Sequence, residues 1–208
     1  PNVIGVREDR EILRRIYVAV RDRNWDTVPA TLSNVHFDIR ARAFHITYDA
    51  VHQYRDINFS WQGTLTGDAQ GTITFTMDGI ARSTFLRNRI GFCVLHPMQA
   101  CAGRSCAVAH SDGTIEQGVF PRAIAPHQPF LDIRAITYGV RPGVQAEVRF
   151  SGDIFEMEDQ RNWTDASYKT YSTPLTLPFP VEAKAGTRIT QRLAFVLFDN
   201  ALTKAGRS

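Results

Sequence analysis

Apolar and polar residues alternate with a period of two in stretch after stretch of this 208-residue chain, and that rhythm limits the fold more than any other feature. In FSWQGTLTG, Phe59, Trp61 and Leu65 interleave with Ser60, Gln62, Thr64 and Thr66. GDAQG then turns the chain, and TITFTMDG sets Ile73, Phe75 and Met77 on one side. Successive side chains of a strand point to opposite faces, so this pattern predicts a hairpin with one packed and one polar face. Val144, Ala146, Val148 and Phe150 mark another strand, and Arg188 to Phe198 reads as a last strand buried on both sides. In HFDIRARAFHITYD the apolar phase switches from Phe37, Ile39, Ala41 and Ala43 to Phe44, Ile46 and Tyr48. A regular strand cannot do this, so a β-bulge or sharp bend is expected near Ala43.

One segment is ambiguous. Ile12, Leu13, Ile16, Tyr17 and Val20 also fit one face of a helix, but the β-branched run IYVAV favours a strand. No other stretch offers a convincing helix. Many short antiparallel strands must bury their apolar faces against a second sheet or close into a barrel. The expectation is an all-β chain with few or no helices, a large antiparallel β-sandwich formed by residues 1–208 as a single domain. No internal repeat or low-complexity tract suggests a boundary.

Lys and Arg exceed Asp and Glu by 24 to 21, and the basic residues, such as Arg14-Arg15 and Arg87-Asn88-Arg89, are scattered rather than gathered into a stripe. That distribution argues against a nucleic-acid partner. No run approaches the roughly 18 to 20 apolar residues of a membrane span. The opening PNVIGVRED is charged too early for a secretory leader. Three cysteines, Cys93, Cys101 and Cys106, suit reduced thiols better than a disulfide framework, although Cys101 and Cys106 could pair across a short loop. His96 and His110 complete no zinc pattern with them, and no loop has calcium-binding spacing, so no metal or cofactor is expected. Together these features predict a soluble, cytoplasmic protein.

Two stretches interrupt the β rhythm. GVFPRAIAPHQPFLDI carries Pro121, Pro126 and Pro129, each of which fixes φ and removes a backbone donor. The segment is therefore a stiff loop, which either presents Arg122, His127 and Gln128 to a ligand or connects the sheets with His127 bonded to a carbonyl. The second stretch, GDIFEMEDQRNWTDASYKTY, holds Asp153, Glu156, Glu158, Asp159 and Asp165 among aromatic residues. If a strand runs from Ile154 to Glu158, Phe155 and Met157 point one way while Ile154, Glu156 and Glu158 point the other. Two carboxylates spaced two residues apart suit a general acid and base pair, provided the site is shielded from water. Trp163, Tyr168 and Tyr171, with the amides Gln160 and Asn162, resemble the lining of a sugar cleft. Alternatively the acids face solvent or pair with Arg161 and Lys169. No Gly-x-Ser-x-Gly motif or recognisable Cys-His spacing supplies a nucleophile.

RRIYVAVRDRNW (14–25), RNRIGFCVLHP (87–97), FPRAIAPHQPF (120–130) and above all GDIFEMEDQRNWTDASYKTYSTPLTLPFP (152–180) resemble, in the same order, the N-terminal region of the D-apionate lactonases. The resemblance implies a β-sandwich preceding a TIM-barrel-like domain and a further β domain, in bacterial enzymes of apiose catabolism that hydrolyse D-apionolactone to D-apionate. It also implies a small sugar lactone or sugar acid as ligand and a downstream barrel of the same polypeptide as partner. After Phe198 the chain reads DNALTKAGRS with no barrel, so a fragment or isolated domain, inactive on its own, is expected. The sandwich suggests, by architecture alone, the supersandwich fold of galactose-mutarotase-like proteins. Lactone hydrolysis needs a base, oxyanion donors and an acid for the leaving alkoxide. Glu156 and Glu158 are the candidates for base and acid and His127 for a proton shuttle. Arg161 and Lys169 would meet negative charge, and Asp159, Asn162, Trp163 and Tyr171 would contact the sugar. A carbohydrate-binding module and a scaffold packed on the barrel are the competing readings.

Overall fold

A computed structural model describes residues 3–7 and 10–199 of the chain, with side chains from Glu11 to Phe198. Pro1, Asn2, Glu8 and Asp9 of the charged opening stretch, and the tail from Asn200 onward, lie outside the described residues. In chain order the strands are β1 (Val3–Arg7), β2 (Arg10–Asp22), β3 (Ala30–Arg40), β4 (Ala43–Tyr54) and β5 (Ile57–Gly67), followed by β6 (Ile73–Ala81), β7 (Phe85–Pro97), β8 (Ser105–Ala109), β9 (Ile115–Val119) and β10 (Ala135–Arg141). The last five are β11 (Val144–Ser151), β12 (Glu156–Asp159), β13 (Ser167–Tyr171), β14 (Val181–Ala183) and β15 (Arg188–Asp199). Helical structure among the described residues is limited to one turn at Met98–Cys101 and a 3-10 turn at Gln160–Trp163.

Two antiparallel sheets face each other. One runs β1-β2-β7-β13-β12, with β14 also paired to β7; the other has nine strands in the order β3-β4-β5-β6-β15-β11-β10-β8-β9. The alternation explains the packing. Phe59, Trp61, Leu65, Phe75 and Met77 all point into the core, and Phe75 of the larger sheet meets Phe92 of the smaller edge to face at 4.8 Å. The hairpin read from its pattern is β5 and β6, with Phe59 opposite Ala81 and Leu65 opposite Phe75. Gly63 lies beneath the ring of Tyr48, its cross-strand partner, where a Cβ would come within 2.2 Å of the ring.

The segment open to a helical reading is strand β2, and its misleading pattern has a cause. Leu13 pairs with Gly5 and Glu11 with Val6, so Ile12 is an extra residue and both Ile12 and Leu13 are buried. The phase switch near Ala43 is a chain reversal: Arg40 pairs with Ala43 and the two residues between them turn the chain. The bulge of that hairpin lies earlier, between Ser33 and His36, where Asn34 adopts a φ of 51°.

The expectation for Arg188 to Phe198 is corrected. Gln191, Leu193 and Phe195 are buried, but Thr190 and Arg192 are exposed, so β15 packs on one face only. The strand covered on both sides is β7, buried at every position from Asn88 to Pro97. Its inner face meets the larger sheet; its outer face carries Cys93 beneath Tyr17 and Tyr171. The Gln191 side chain crosses to accept from the Phe92 backbone N–H at 2.8 Å, which satisfies a buried donor and ties the sheets together.

Candidate active site

The acidic stretch divides at Asp159. Phe155 and Met157 are fully buried in the core, as the alternation predicts, so Glu156 and Glu158 share the outer face of the smaller sheet. The strand itself begins at Glu156, with Phe155 held by an isolated bridge to Ile133. Cross-strand register then builds two rows on this face. Glu156, Tyr171, Cys93 and Tyr17 form one; Glu158, Lys169, Leu95 and Arg15 form the next.

The two glutamates differ in access. Glu156 is 1% exposed; its Oε1 accepts the Tyr171 hydroxyl and the Leu175 backbone N–H at 2.8 Å. Gln128 of the proline-rich loop donates to the same Tyr171 oxygen at 3.4 Å. Burial, then the bonded Glu156, push the Tyr171 hydroxyl well above the usual phenol range, so it stays a donor. Glu158 is partly open, ion-paired to Lys169 and bonded by Gln160 Nε2 at 2.7 Å.

Beyond Glu158, Asp159, Arg161 and Asn162 are consumed by structure. Asp159, 1% exposed, accepts from Arg161 Nε at 2.9 Å and from the Ala125 backbone N–H at 3.0 Å. Burial opposes its charge, but the hydrogen bonds from Arg161 and the backbone prevail and hold the carboxyl below the usual range. Arg161 also donates to the carbonyls of Pro121, Arg122 and Ala123, while Asn162 Nδ2 donates to that of Ala125 at 2.7 Å. These three side chains pin the proline-rich loop, and Phe120 and Phe130 anchor its ends in the core. His127 lies exposed on that loop, outside the residues that line the cleft described next.

The face of Glu158 opens into a cleft of about 450 Å³. Glu158, Lys169 and Gln160 form one side, with Trp163, 71% exposed, standing at the rim. The other side is Arg21 and Arg89, with Trp25 between strands. The Arg89 guanidinium is packed between rings, 3.9 Å from the centroid of Tyr171 and 4.8 Å from that of Trp25. Sequence reasoning missed Arg21, Trp25 and Arg89. Arg21 follows Tyr17 and Ala19 in strict period two, which places it on their face; Arg89 carried no comparable signal until β2 and β7 were paired. A larger depression of about 610 Å³ on the nine-stranded sheet contains Asp78, bonded to Thr190, and Gln62, but its ring, Trp61, is buried with its N–H given to His52.

His96 and the three cysteines belong to the core. His96 is fully buried, bonded to Thr170 Oγ1 at 2.9 Å, and burial pushes its pKa down to about 3. The three cysteines are free and buried, and burial pushes the Cys101 and Cys106 thiols up to about 12. Among the described residues no group of three or more His, Cys, Asp or Glu side chains is arranged to hold a metal ion, and no helix is long and apolar enough to cross a membrane.

Comparison with solved structures places the fold. The Slr1438 protein of Synechocystis sp. PCC 6803 superposes with a TM-score of 0.57 at 8% identity, over 92% of this chain and 86% of that one. A galactose mutarotase-like protein from Lactobacillus casei does so with a TM-score of 0.50 at 10% identity, over 91% and 90%. At such identities the likeness concerns the fold alone, and it agrees with the expected mutarotase-like sandwich. In sequence, the D-apionate lactonase of Brucella anthropi is 41% identical over 190 residues, 91% of this chain but 31% of that protein. The chain thus spans about a third of its relative's length. The family described as D-apionate lactonase, N-terminal domain, matches residues 5–199, and this chain belongs to that family.

Proposed function

We propose that this domain forms one wall of the substrate cleft of a sugar-lactone hydrolase and that a further domain of the same polypeptide completes the site. The observation that carries this reading is the cleft itself, where a carboxylate, an ammonium and an amide, Glu158, Lys169 and Gln160, stand beside the exposed ring of Trp163. Membership of a lactonase family supports D-apionolactone as substrate, hydrolysed to D-apionate in carbohydrate catabolism.

In this reading Trp163 and Trp25 pack on the C–H faces of the sugar, and Gln160 takes a hydroxyl. Glu158 takes a proton from the water as it attacks the carbonyl carbon and returns it to the ring oxygen as the C–O bond breaks, while Lys169 meets the negative charge that develops on the carbonyl oxygen. Glu156 is a positioning residue: it holds Tyr171, whose ring packs on the Arg89 guanidinium, and the backbone of Leu175, which lines the cleft. Asp159, Arg161 and Asn162 act through the loop they pin, and His127 contributes a proton only if the completing domain brings substrate to that loop.

The test is steady-state kinetics of the full-length polypeptide. Glu158→Gln is expected to lower kcat at least about a hundredfold, the range of a general base, with the fold intact. A kcat near the parent value overturns the catalytic role. A raised KM with unchanged kcat would instead assign the cleft to binding alone, the carbohydrate-binding alternative.

A further inference from the structure

The side of the cleft opposite Glu158 has a feature that lactone chemistry does not use. Arg21 and Arg89 are directly opposed on neighbouring strands β2 and β7. Like charges in that register repel and weaken a sheet. Among the described residues neither has a carboxylate partner: Arg21 donates Nη1 to the Trp25 carbonyl at 3.0 Å, and Arg89 is held between rings. Glu156 and Glu158, the acids of this face, are bonded elsewhere.

The next residues of β7 extend the pattern. Asp22 pairs with Arg87 while Arg21 pairs with Arg89, so Asn88 is the extra residue of a bulge. Bulges re-aim side chains and are common beside functional sites. Arg87 Nε, Asn88 Oδ1 and Arg89 Nη2 are each buried without a hydrogen-bond partner among the described residues. Arg89 as a whole is only 8% exposed. Buried polar atoms are nearly always partnered, and two orphaned guanidinium donors flanking an orphaned amide oxygen in one tripeptide mark a place where the chain holds polar groups ready for a ligand that both accepts and donates, such as a hydroxylated carboxylate. A second hollow of about 210 Å³ shares Trp25 and Arg89 with the cleft and is lined by Arg87, Asn88 and Thr173. Asp153 is the carboxylate whose field reaches Arg87, and burial outweighs it.

We propose that Arg21 and Arg89, extended by Arg87, form an anion site that takes the carboxylate of a short polyhydroxy acid, with its carbon chain lying between Trp25 and Trp163. Guanidinium groups bind carboxylates through parallel N–H donors, and a cleft of this size suits a small molecule. A lactone is neutral and its hydrolysis product is not, so the site distinguishes product from substrate. The proposal rests on the lactonase reading for the acid's identity, but it is tested without turnover.

Calorimetry on this chain measures binding of a pentonate, the matching pentonolactone, the matching pentitol and inorganic phosphate. The pentonate is expected to bind at least tenfold more tightly than the lactone or pentitol, and more weakly as ionic strength rises. Arg21→Gln and Arg89→Gln should each weaken it at least tenfold, with Arg89→Lys intermediate because the charge returns without the planar fork. Circular dichroism checks each fold, and the less buried Arg21 variant decides the matter if Arg89→Gln fails to fold. Pentonate binding no tighter than pentitol binding, or unchanged in Arg21→Gln, overturns the proposal. Phosphate binding more tightly than pentonate also overturns it, in favour of a phosphate site. None of these results bears on kcat of Glu158→Gln, so the two readings fail separately.

Discussion

The two halves of the acidic stretch make the most instructive contrast in this protein. Asp159, Arg161 and Asn162 spend their hydrogen bonds on the backbone of the proline-rich loop, whereas Glu158 and Lys169, only a few residues away, spend theirs on each other at the mouth of a cleft. The first group is a tie and the second a lining. Residue type does not separate them, because both contain a carboxylate and a cation. Partner and burial do: an acid bonded to backbone N–H groups is a structural fixture, while an acid whose partner is another side chain at a cleft can exchange that partner for a ligand.

Breaking the tie should have the largest effect. Asp159→Ala removes a fully buried carboxylate and leaves Arg161, one-fifth exposed, without its ion pair. Loss of one partner of such a pair costs about 3–5 kcal/mol. Thermal melting should fall by about 10 °C for a domain of this size. A fall of no more than about 2 °C would mean that the loop holds without the tie.

A pH scan sharpens the contrast, because the tie and the core beneath it respond to different protons. His96 has a folded pKa near 3 against the ordinary 6.5, so its stabilising neutral form is fully present above pH 6.5. Below that, the unfolded chain takes up the proton more readily and stability falls as pH drops towards about 3. The slope is about 1.4 kcal/mol per pH unit for this one group. His52, also shifted downward by burial, adds in the same direction. Asp159, whose pKa is lowered, begins to lose its contribution only below 3.8. Chemical denaturation at a series of pH values should therefore show losses starting near pH 6.5 that are reduced in His96→Gln; a stability curve flat from pH 7 to 4 contradicts this.

Altering the lining should matter less to the fold. The double variant Glu158→Gln/Lys169→Met removes both charges of a largely shielded pair together and leaves neither unpaired, so a change of about 1 kcal/mol or less is expected. A loss comparable with that of Asp159→Ala would put Glu158 in the tie and dissolve the contrast. The smallest effect on stability belongs to Trp163→Ala, a ring 71% exposed at the rim. Within about 0.5 kcal/mol of the parent is expected, alongside weaker pentonate binding by calorimetry.

Much of the fold was legible because strand alternation is a local property. Phe59, Trp61, Phe75 and Met77 announce the face they bury, and Phe155 with Met157 place Glu156 and Glu158 on the opposite one. Local pattern failed where a sheet partner added a residue or covered a second face. Ile12 became a bulge only against β1, and β7 is buried on both sides only because Tyr17 and Tyr171 lie across it. The cleft was half legible. Glu158, Lys169 and Trp163 are near one another in sequence, and Gln160 lies between them. Arg21 on β2 and Trp25 in the turn that follows it are far in sequence both from Arg89 on β7 and from Glu158, and no spacing rule joins the three groups.

By itself, then, the sequence determined the class of structure, two amphipathic β layers, and the family to which the chain belongs. Both follow from side-chain order along the strands, which is written residue by residue. Only the tertiary structure decided which acids became ties and which became lining, and that Arg21 would face Arg89. Those outcomes depend on strand register and loop closure, where residues some 70 positions apart meet at contact distance.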